Sequence, residues 1–537
     1  MKQDKKTATQ PNRAQESWRN RRSRFNNRHV ILGWILLALV LLASLATAIY
    51  LNLKHTDDTT TKMAYTISID DDDDINWNNY PTREIVLGSD FEISTSGTYH
   101  VTGQQEGQIR VNNKNGHVRL LLENATIKNS TGPVILCSDA DKLIIEILGE
   151  NHLEDGEYYQ EETNTDEMGV IYSKADLVFQ GDGQLSITAN YSDAIVGKDD
   201  LKFSSGAYSI KSKDDAIRGK DSVYIAGSTF IIDSGADAFK TTNQEDKGKG
   251  YILIKKGNLK VEAGAKALEA TNTILLQGGN YSLNSRDDAI HSDNYTGIAD
   301  GEINISSGDD AIHADRRLTI DGGRLVISQS KEGLEAQNIT INDGVLRITS
   351  EDDSINASVS SDSSSSTNAQ VARARESEET NLLINGGEIY LNTNGDGLDS
   401  NGWIYINGGL MVIDGPNDAK NAALDATIGI VMNGGKVFAI GGGAEVSTLG
   451  DTSSVLNVSI YLNSAMPEKT LIEIKNKKGD IIFSHESVKS FNYIVAGSLD
   501  YMLGEEYDIY FNDKYYDSFI ISGITTTISG ISQLFND

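Results

Sequence analysis

The chain has 537 residues, among them 50 glycines and 5 prolines, and its formal net charge is −30 at pH 7. Such a negative field repels nucleic acid, which excludes DNA and RNA as partners, whereas cations and cation-bridged anions remain attractive. The single cysteine, Cys137, excludes an intrachain disulfide and is expected in the core of an apolar strand.

The N-terminus combines a basic tail with an apolar run. Residues 1–29 hold nine Lys or Arg against two acidic residues, and residues 30–50 form an uncharged run of 21 residues. A helix of that length crosses about 30 Å of hydrocarbon. Because positive residues stay on the cytoplasmic side, we predict a single-pass transmembrane helix in the cell membrane, with a cytoplasmic tail and the bulk of the chain outside the cytoplasm. A cleaved signal peptide is the alternative, since Ala46 and Ala48 form a weak cleavage site.

An acidic linker is predicted at residues 51–84, where five aspartates follow one another at 70–74. A calcium loop would need glycine and ligands at alternate positions, so we interpret this run as a solvated spacer.

A repeat of about 22 residues follows the linker. Its clearest copies read Asp-Asp-Ala-Ile-His at 287–291 and again at 309–313. The second position of this phrase defines an aspartate row: Asp193, Asp215, Asp237, Lys266, Asp288, Asp310, Glu332, Asp353 and Asp396. A glycine row lies 9 or 10 residues before it: Gly206, Gly227, Gly257, Gly279, Gly301, Gly323, Gly344 and Gly387. Two rows in step define a repeat architecture.

Each repeat carries three short stretches of strand character. Apolar residues alternate on both sides of the glycine, as at Tyr281 and Leu283, which indicates strands and not helices. A third stretch contributes one apolar residue per copy: Ile195, Ile217, Phe239, Leu268, Ile290, Ile312, Leu334, Ile355, Leu398 and Leu424. We therefore predict an all-β fold, a right-handed parallel β-helix over residues 85–453 whose turns stack about 4.8 Å apart. A propeller needs blades of roughly 40 to 50 residues, and a leucine-rich horseshoe needs its leucine and asparagine ladder, so neither fits.

Two segments depart from the repeat. Residues 358–380 are rich in serine and charge without periodicity, which predicts a flexible loop. Residues 454–537 alternate in longer, tyrosine-rich strands, which predicts a small separate β-sandwich-like domain on the C-terminal end of the coil.

Several blocks of this sequence resemble a known family. The blocks are YSKADLVFQGDGQLSITANYSDAIVGKDDL, DDAIRGKDSVYIAG, GDGLDSNGWIYINGG and NAALD. In order and spacing they resemble the bacterial carbohydrate-binding β-helix family, whose founding member binds cellulose and acidic sugars. The resemblance covers roughly residues 85–530. It implies a fold similar to that of pectate-type polysaccharide lyases, bound calcium and carbohydrate binding at the cell surface.

The residue after each apolar position of the third strand is expected to point outward, and we call this series the outward row. This row, together with the residues two positions after its members, carries a basic patch on the early turns of the coil. On the later turns it carries imidazoles. The candidates for carbohydrate binding are Lys198, Arg218, Lys220, Lys240, His291 and His313. Arginine and lysine can pair with the carboxylates of a polyuronate. The alternative is that these cations neutralise the neighbouring aspartates, and that the histidines are a stacked surface pair.

Paired acids in neighbouring turns predict a metal. Stacked like charges are costly unless cations or donors intervene, and calcium, which takes six to eight oxygen ligands, would relieve them. The candidate ligands are Asp214, Asp215, Asp287, Asp288, Asp309, Asp310, Asp352 and Asp353. The alternative is that each aspartate bonds its own backbone at a corner and needs no metal.

The sequence thus predicts a membrane-anchored, non-catalytic protein that binds polysaccharide with calcium. A calcium-dependent lyase is the first alternative, with Lys220 or Lys240 as the base. A structural wall spacer or adhesin is the second. Because no single acid stands out from the repeat, the pattern favours a multivalent surface over a unique catalytic centre.

Overall fold

The computed structural model describes residue 67 and residues 75–531, except for residues 87, 89, 161–167, 360–379, 419 and 444–445. No helix among these residues is long and apolar enough to span a membrane. The transmembrane helix predicted at 30–50, the basic tail and nearly all of the loop predicted at 358–380 lie outside the described residues, and they stay predictions.

The described chain is almost entirely β. Apart from one 3₁₀ turn at Trp77–Asn79, every regular element in this part of the chain is a strand. The first turns contain β1 (Thr82–Val86), β2 (Phe91–Ile93), β3 (Gly97–Glu106), β4 (Ile109–Asn112), β5 (His117–Asn129), β6 (Ile135–Asp139), β7 (Lys142–Leu148) and β8 (Glu150–Asp155).

The regular turns follow. They contain β9 (Gly169–Ser173), β10 (Asp176–Gly181), β11 (Gln184–Ala189), β12 (Asp193–Gly197), β13 (Asp200–Phe203), β14 (Ala207–Ser212), β15 (Ile217–Gly219), β16 (Ser222–Ile225), β17 (Thr229–Ser234), β18 (Phe239–Thr241), β19 (Tyr251–Ile254), β20 (Asn258–Ala263), β21 (Leu268–Ala270), β22 (Thr273–Leu276), β23 (Asn280–Ser285), β24 (Ile290–Ser292), β25 (Tyr295–Ile298), β26 (Glu302–Ser306), β27 (Ile312–Ile320), β28 (Arg324–Gln329), β29 (Leu334–Ile341), β30 (Val345–Ser350), β31 (Ile355–Ala357), β32 (Asn381–Ile384), β33 (Glu388–Thr393), β34 (Leu398–Ser400), β35 (Trp403–Ile406), β36 (Leu410–Asp414), β37 (Gly429–Met432) and β38 (Lys436–Gly441).

These strands form a parallel β-solenoid of about 15 turns, as the 22-residue repeat predicts. Each strand pairs in parallel with the strand one turn later, so that Leu259, Tyr281 and Ile303 lie in one buried row. The apolar row of the third strand is likewise continuous from Ile195 through Ile217 and onward, and its members are fully buried. Period-2 alternation therefore puts one face of every strand into a single core that runs the length of the coil.

The glycine row marks a corner where successive turns approach closely. Gly279 has a φ of +123°, and a Cβ added there would lie 2.5 Å from the carbonyl oxygen of Gly257 in the preceding turn. Side chains avoid both that backbone conformation and that contact. Glycine is thus required at position 279, where the two turns meet.

Replacing Gly279 with alanine is expected to lower the free energy of unfolding by about 2–3 kcal/mol, because the energetic cost of the positive φ adds to that of the close contact with Gly257. The adjacent Gly278 is a matched control, since its added Cβ would meet only the carbonyl oxygen of Lys255 at 3.6 Å. Gly278→Ala is expected to change stability by less than about 1 kcal/mol. Urea unfolding of both variants measures the difference, and equal losses would contradict this explanation.

The C-terminal segment joins the coil through one strand. It contains β39 (Asn457–Met466), β40 (Leu471–Asn476), β41 (Ile481–Glu486), β42 (Phe491–Ser498), β43 (Glu506–Phe511), β44 (Lys514–Ile520) and β45 (Thr525–Ile531). Strand β42 lies between β38 and β39 and is antiparallel to both. Strands β41, β40, β43 and β44 form a second, antiparallel sheet. A second core, which includes Phe438 of β38 and Ile474 of β40, lies between the two sheets.

Candidate functional site

The aspartate row forms a ladder of hydrogen bonds between turns. The side chain of Asp193 accepts from the backbone N–H of Asp215 at 3.2 Å, and Asp215 accepts in turn from the N–H of Asp237 at 3.1 Å. The same bond recurs along the row: Asp237 accepts from the backbone N–H of Lys266, Asp288 from that of Asp310, Asp310 from that of Glu332 and Asp353 from that of Asp396. The repeat therefore places an acceptor here because each new turn presents a backbone donor. Each carboxylate accepts from the backbone of the next turn. The metal-free alternative instead expected it to accept from its own backbone.

Two cations of the predicted basic patch are bound by this row. The Arg218 guanidinium donates to Asp193 through Nε at 2.8 Å and also through Nη2. The Lys240 ammonium lies 2.6 Å from Asp237 and 2.5 Å from Glu269. Burial opposes the charge of Lys240, but these hydrogen bonds raise its pKa above the ordinary value. Arg218 and Lys240 thus neutralise the row.

The other two cations are more available. Lys198 is half-buried and lies 6.0 Å from the ring centre of Tyr172. Lys220 is exposed, and no ion pair forms on it within the described residues. A role of the patch in carbohydrate binding stays a prediction.

His291 and His313 stack one turn apart, with ring centres 4.9 Å from each other. His291 Nδ1 lies 2.9 Å from Asp288, and His313 Nδ1 lies 3.2 Å from Asp310 and 3.0 Å from Glu335. Burial opposes protonation, but the carboxylates raise the pKa of His291 to about 9 and that of His313 to about 12. Both rings are therefore cations at neutral pH and offset the charge of the row.

The predicted metal ligands fall into two groups. Most already have a cationic neighbour: Asp287 lies 2.8 Å from Lys266, and Asp309 lies 3.2 Å from Lys331. Asp288 and Asp310 contact the histidines, and Asp215 lies 3.9 Å from Arg218. Asp214 is exposed and accepts from the Ser192 hydroxyl at 3.4 Å. Asp214, Asp352 and Asp353 differ from the others, because none of the three has an ion pair among the described residues.

At Asp353 the structure brings together three carboxylates, which we call the acidic triad: Asp353, Asp396 and Asp399. One oxygen from each lies within 4.8 Å of the others. Burial, followed by repulsion from neighbouring carboxylates, raises their pKa values to about 6, 7 and 8, respectively. No lysine, arginine or histidine of the described chain pairs with them. The triad is thus a cluster of carboxylates without a compensating cation from the described chain.

Asn356 lies beside the triad, in register with Asp399. Its side chain is only 8% exposed. The amide nitrogen donates to Glu332 at 2.9 Å, whereas the amide oxygen is buried and accepts no hydrogen bond from the described residues. A buried acceptor without a donor is costly, so this oxygen has capacity for a cation or a donor.

Asp396, Asp399 and Asn356 are absent from the set of metal ligands predicted by sequence. Asp396 belongs to the aspartate row, whereas Asp399 and Asn356 belong to the outward row, and these positions are the signal that could have found them. The insertion between β31 and β32 stretches the interval from Asp353 to Asp396 to 43 residues. That interval hides the fact that the two aspartates occupy neighbouring turns.

The fold and its rows of side chains define a parallel β-solenoid with an acidic side, and comparisons with known proteins add the family. A family model described as "carbohydrate-binding domain-containing protein" matches residues 87–333 and 284–377. A protein of that description from Acetivibrio thermocellus is 30% identical over 210 residues, which cover 38% of this chain and 73% of the relative. The chain belongs to this family of carbohydrate-binding domain-containing proteins.

A solved structure is also similar. It is described as that of a polysaccharide lyase-like protein from C. thermocellum, in a gadolinium derivative. The two chains are 28% identical, with a TM-score of 0.36, over 43% of this chain and 87% of the other.

Proposed function

We propose that this protein binds polysaccharide at the cell surface without cleaving it. The observation that carries the proposal is the match of residues 87–377 to a carbohydrate-binding domain family. The shape of the coil agrees with this role, because about 15 stacked turns present rows of side chains along which a long polymer can lie. The basic tail at 1–29 and the apolar run at 30–50 support anchoring in the cell membrane, with the solenoid outside the cytoplasm.

Calcium binding is the second part of the proposal, with Asp353, Asp396 and Asp399 as ligands and the amide oxygen of Asn356 as a fourth. These residues suit a hard cation, because all four offer oxygen and no lysine, arginine or histidine of the described residues forms an ion pair with the triad. Bound calcium would neutralise the triad and would hold the turns on the two sides of the insertion together.

The lyase alternative needs a base that can be deprotonated. Hydrogen bonds from Lys240 to Asp237 and Glu269 keep its pKa above the ordinary value, which works against that role. Lys220 is exposed and forms no ion pair within the described chain, so its surroundings do not mark it as a base. We therefore keep the lyase as the second candidate, tested in the same experiment.

The test is retention of the full chain on a panel of neutral and acidic polysaccharides, with calcium and with chelator, while absorbance reports any unsaturated uronate. We expect calcium-dependent retention without product. If no polysaccharide retains the protein, a structural or adhesive role replaces the proposal. A rise in absorbance would make the protein a lyase.

A further inference from the structure

A cleft separates the outer face of the late turns from the C-terminal sheet. It has a volume of about 320 Å³, and its polar walls are formed by Arg347, Tyr390, Asn392, Asp414 and His485. The first four lie on β30, β33 and β36 of the coil, and His485 lies on β41. The two parts of the chain thus form a concave site away from the aspartate row.

Arg347 is the cation of this cleft. It is in register with Tyr390 in the next turn, and its guanidinium carbon lies 4.1 Å from the centre of the Tyr390 ring. The ring holds the guanidinium plane in place without using its hydrogen-bond donors. Arg347 is exposed and has no carboxylate partner among the described residues. In this respect it differs from Arg218, whose donors are taken by Asp193.

A small network joins the coil to the C-terminal sheet at this cleft, between Asp414 of β36 and His485 of β41. Asp414 is buried and accepts from the backbone N–H of Val488 at 2.9 Å, while its other oxygen lies 2.9 Å from His485 Nε2. The imidazole is therefore held in one orientation beside the cleft. Asn392 adds an amide oxygen that no donor of the described chain satisfies. These residues line the same cleft as Arg347.

We propose that this cleft is a subsite for a carboxylated sugar unit of the uronate type, with Arg347 binding the carboxylate. A planar fork with free donors matches a carboxylate in bidentate geometry. The protein's net charge of −30 otherwise repels acidic glycans, so an unpaired arginine in a cleft provides a local attraction. The proposal rests on polysaccharide binding as the function, and it adds the place at which a carboxylated unit of the polymer is bound.

The experiment is calorimetric titration of the full chain with hexagalacturonate and, separately, with cellohexaose, at fixed calcium and low salt. Arg347→Met is expected to weaken hexagalacturonate binding about tenfold or more, because a charge-assisted hydrogen-bonded pair is lost. Its binding of cellohexaose is expected to stay within about twofold of the unmodified chain, since that ligand has no carboxylate. Arg347 is exposed, so the substitution does not disturb the core.

Arg324→Met is the matched control. Arg324 is an exposed arginine on β28, it has no ion pair within the described chain, and it does not line the cleft. Arg324→Met changes the net charge by the same amount as Arg347→Met. The affinity of this control variant for hexagalacturonate is expected to match that of the unmodified chain. Equal weakening by both substitutions would reduce the effect to general electrostatics and overturn the subsite.

The possible failures are distinguishable. If the unmodified chain binds hexagalacturonate and Arg347→Met binds it equally well, the subsite is wrong and polysaccharide binding stands. If the unmodified chain does not bind hexagalacturonate but is retained by a polysaccharide of the panel, the uronate subsite is again wrong alone. If nothing is bound in either experiment, the proposed function itself fails.

Discussion

Calcium is expected to raise the thermal stability of this protein at pH 8, and Asp399→Asn is expected to remove most of that increase. The reason is the acidic triad, whose oxygens lie within 4.8 Å of one another without a protein cation among the described residues. A ligand that binds only the folded state stabilises it by about 2.7 kcal/mol at a concentration one hundred times its dissociation constant. Removing one of three carboxylates weakens the site and therefore reduces this contribution.

The same triad predicts a pH dependence in chelator. The folded pKa values of Asp353, Asp396 and Asp399 are raised to about 6, 7 and 8, above the ordinary value of 3.8. The folded state then binds more protons than the unfolded state, so stability falls as the pH rises from about 4 to 8. Without calcium, Asp399→Asn is expected to be more stable than the unmodified chain at pH 8, and this advantage disappears near pH 4.

Thermal unfolding with calcium and with chelator at pH 5 and pH 8 measures both effects. The increase with calcium should be larger at pH 8, because ligand carboxylates must be deprotonated. Asp182→Asn is the control, since Asp182 is exposed and lies far from the triad in sequence. If Asp399→Asn keeps the full calcium-dependent increase, the triad is not the site.

Asp193→Ala is expected to be the most destabilising single change in the aspartate row. Asp193 is 1% exposed, and it accepts from the backbone of Asp215 and from the guanidinium of Arg218. The alanine leaves both donors without their acceptor, one of them a half-buried charge. We expect a loss of about 3 kcal/mol in the free energy of unfolding.

Two further variants separate the contributions to that loss. Asp193→Asn keeps an oxygen for the Asp215 N–H but replaces the oxygen that accepts from Arg218 with an NH2 group, so it removes the ion pair and keeps the ladder bond, and it should cost less than the alanine. Asp233→Ala is the control on the neighbouring turn, where the carboxylate is 67% exposed and lies 3.8 Å from Lys211. Its effect is expected within about 0.5 kcal/mol. Urea unfolding gives all three values, and similar losses for Asp193→Ala and Asp233→Ala would contradict the ladder.

The fold could be predicted from sequence because its cause is local and repeated. Alternation at Tyr281 and Leu283 identifies a strand, and recurrence every 22 residues identifies parallel stacking. The position of Gly279 shows where turns meet closely. Each of these signals lies within one or two turns of sequence, and the structure satisfies them through the same rows.

The partners of the charged residues could not be predicted in the same way. Arg218 bonds Asp193, 25 residues earlier, and this depends on how far a long side chain reaches back across a turn. The acidic triad depends on an insertion whose ends meet in space, and the cleft depends on a sheet that follows the repeat. Strand periodicity gives the row in which a side chain lies, but it does not give the counter-ion that the side chain finds.

The strand order at β38 has a consequence for how copies of this protein behave at high concentration. A stack of parallel strands can in principle grow without limit, because the last turn offers the same backbone template as every turn before it. Here β42 pairs with β38 in the opposite direction, so that edge no longer matches the first turn of a second copy. The reversal stops head-to-tail polymerisation through this row of strands and favours separate molecules over fibres.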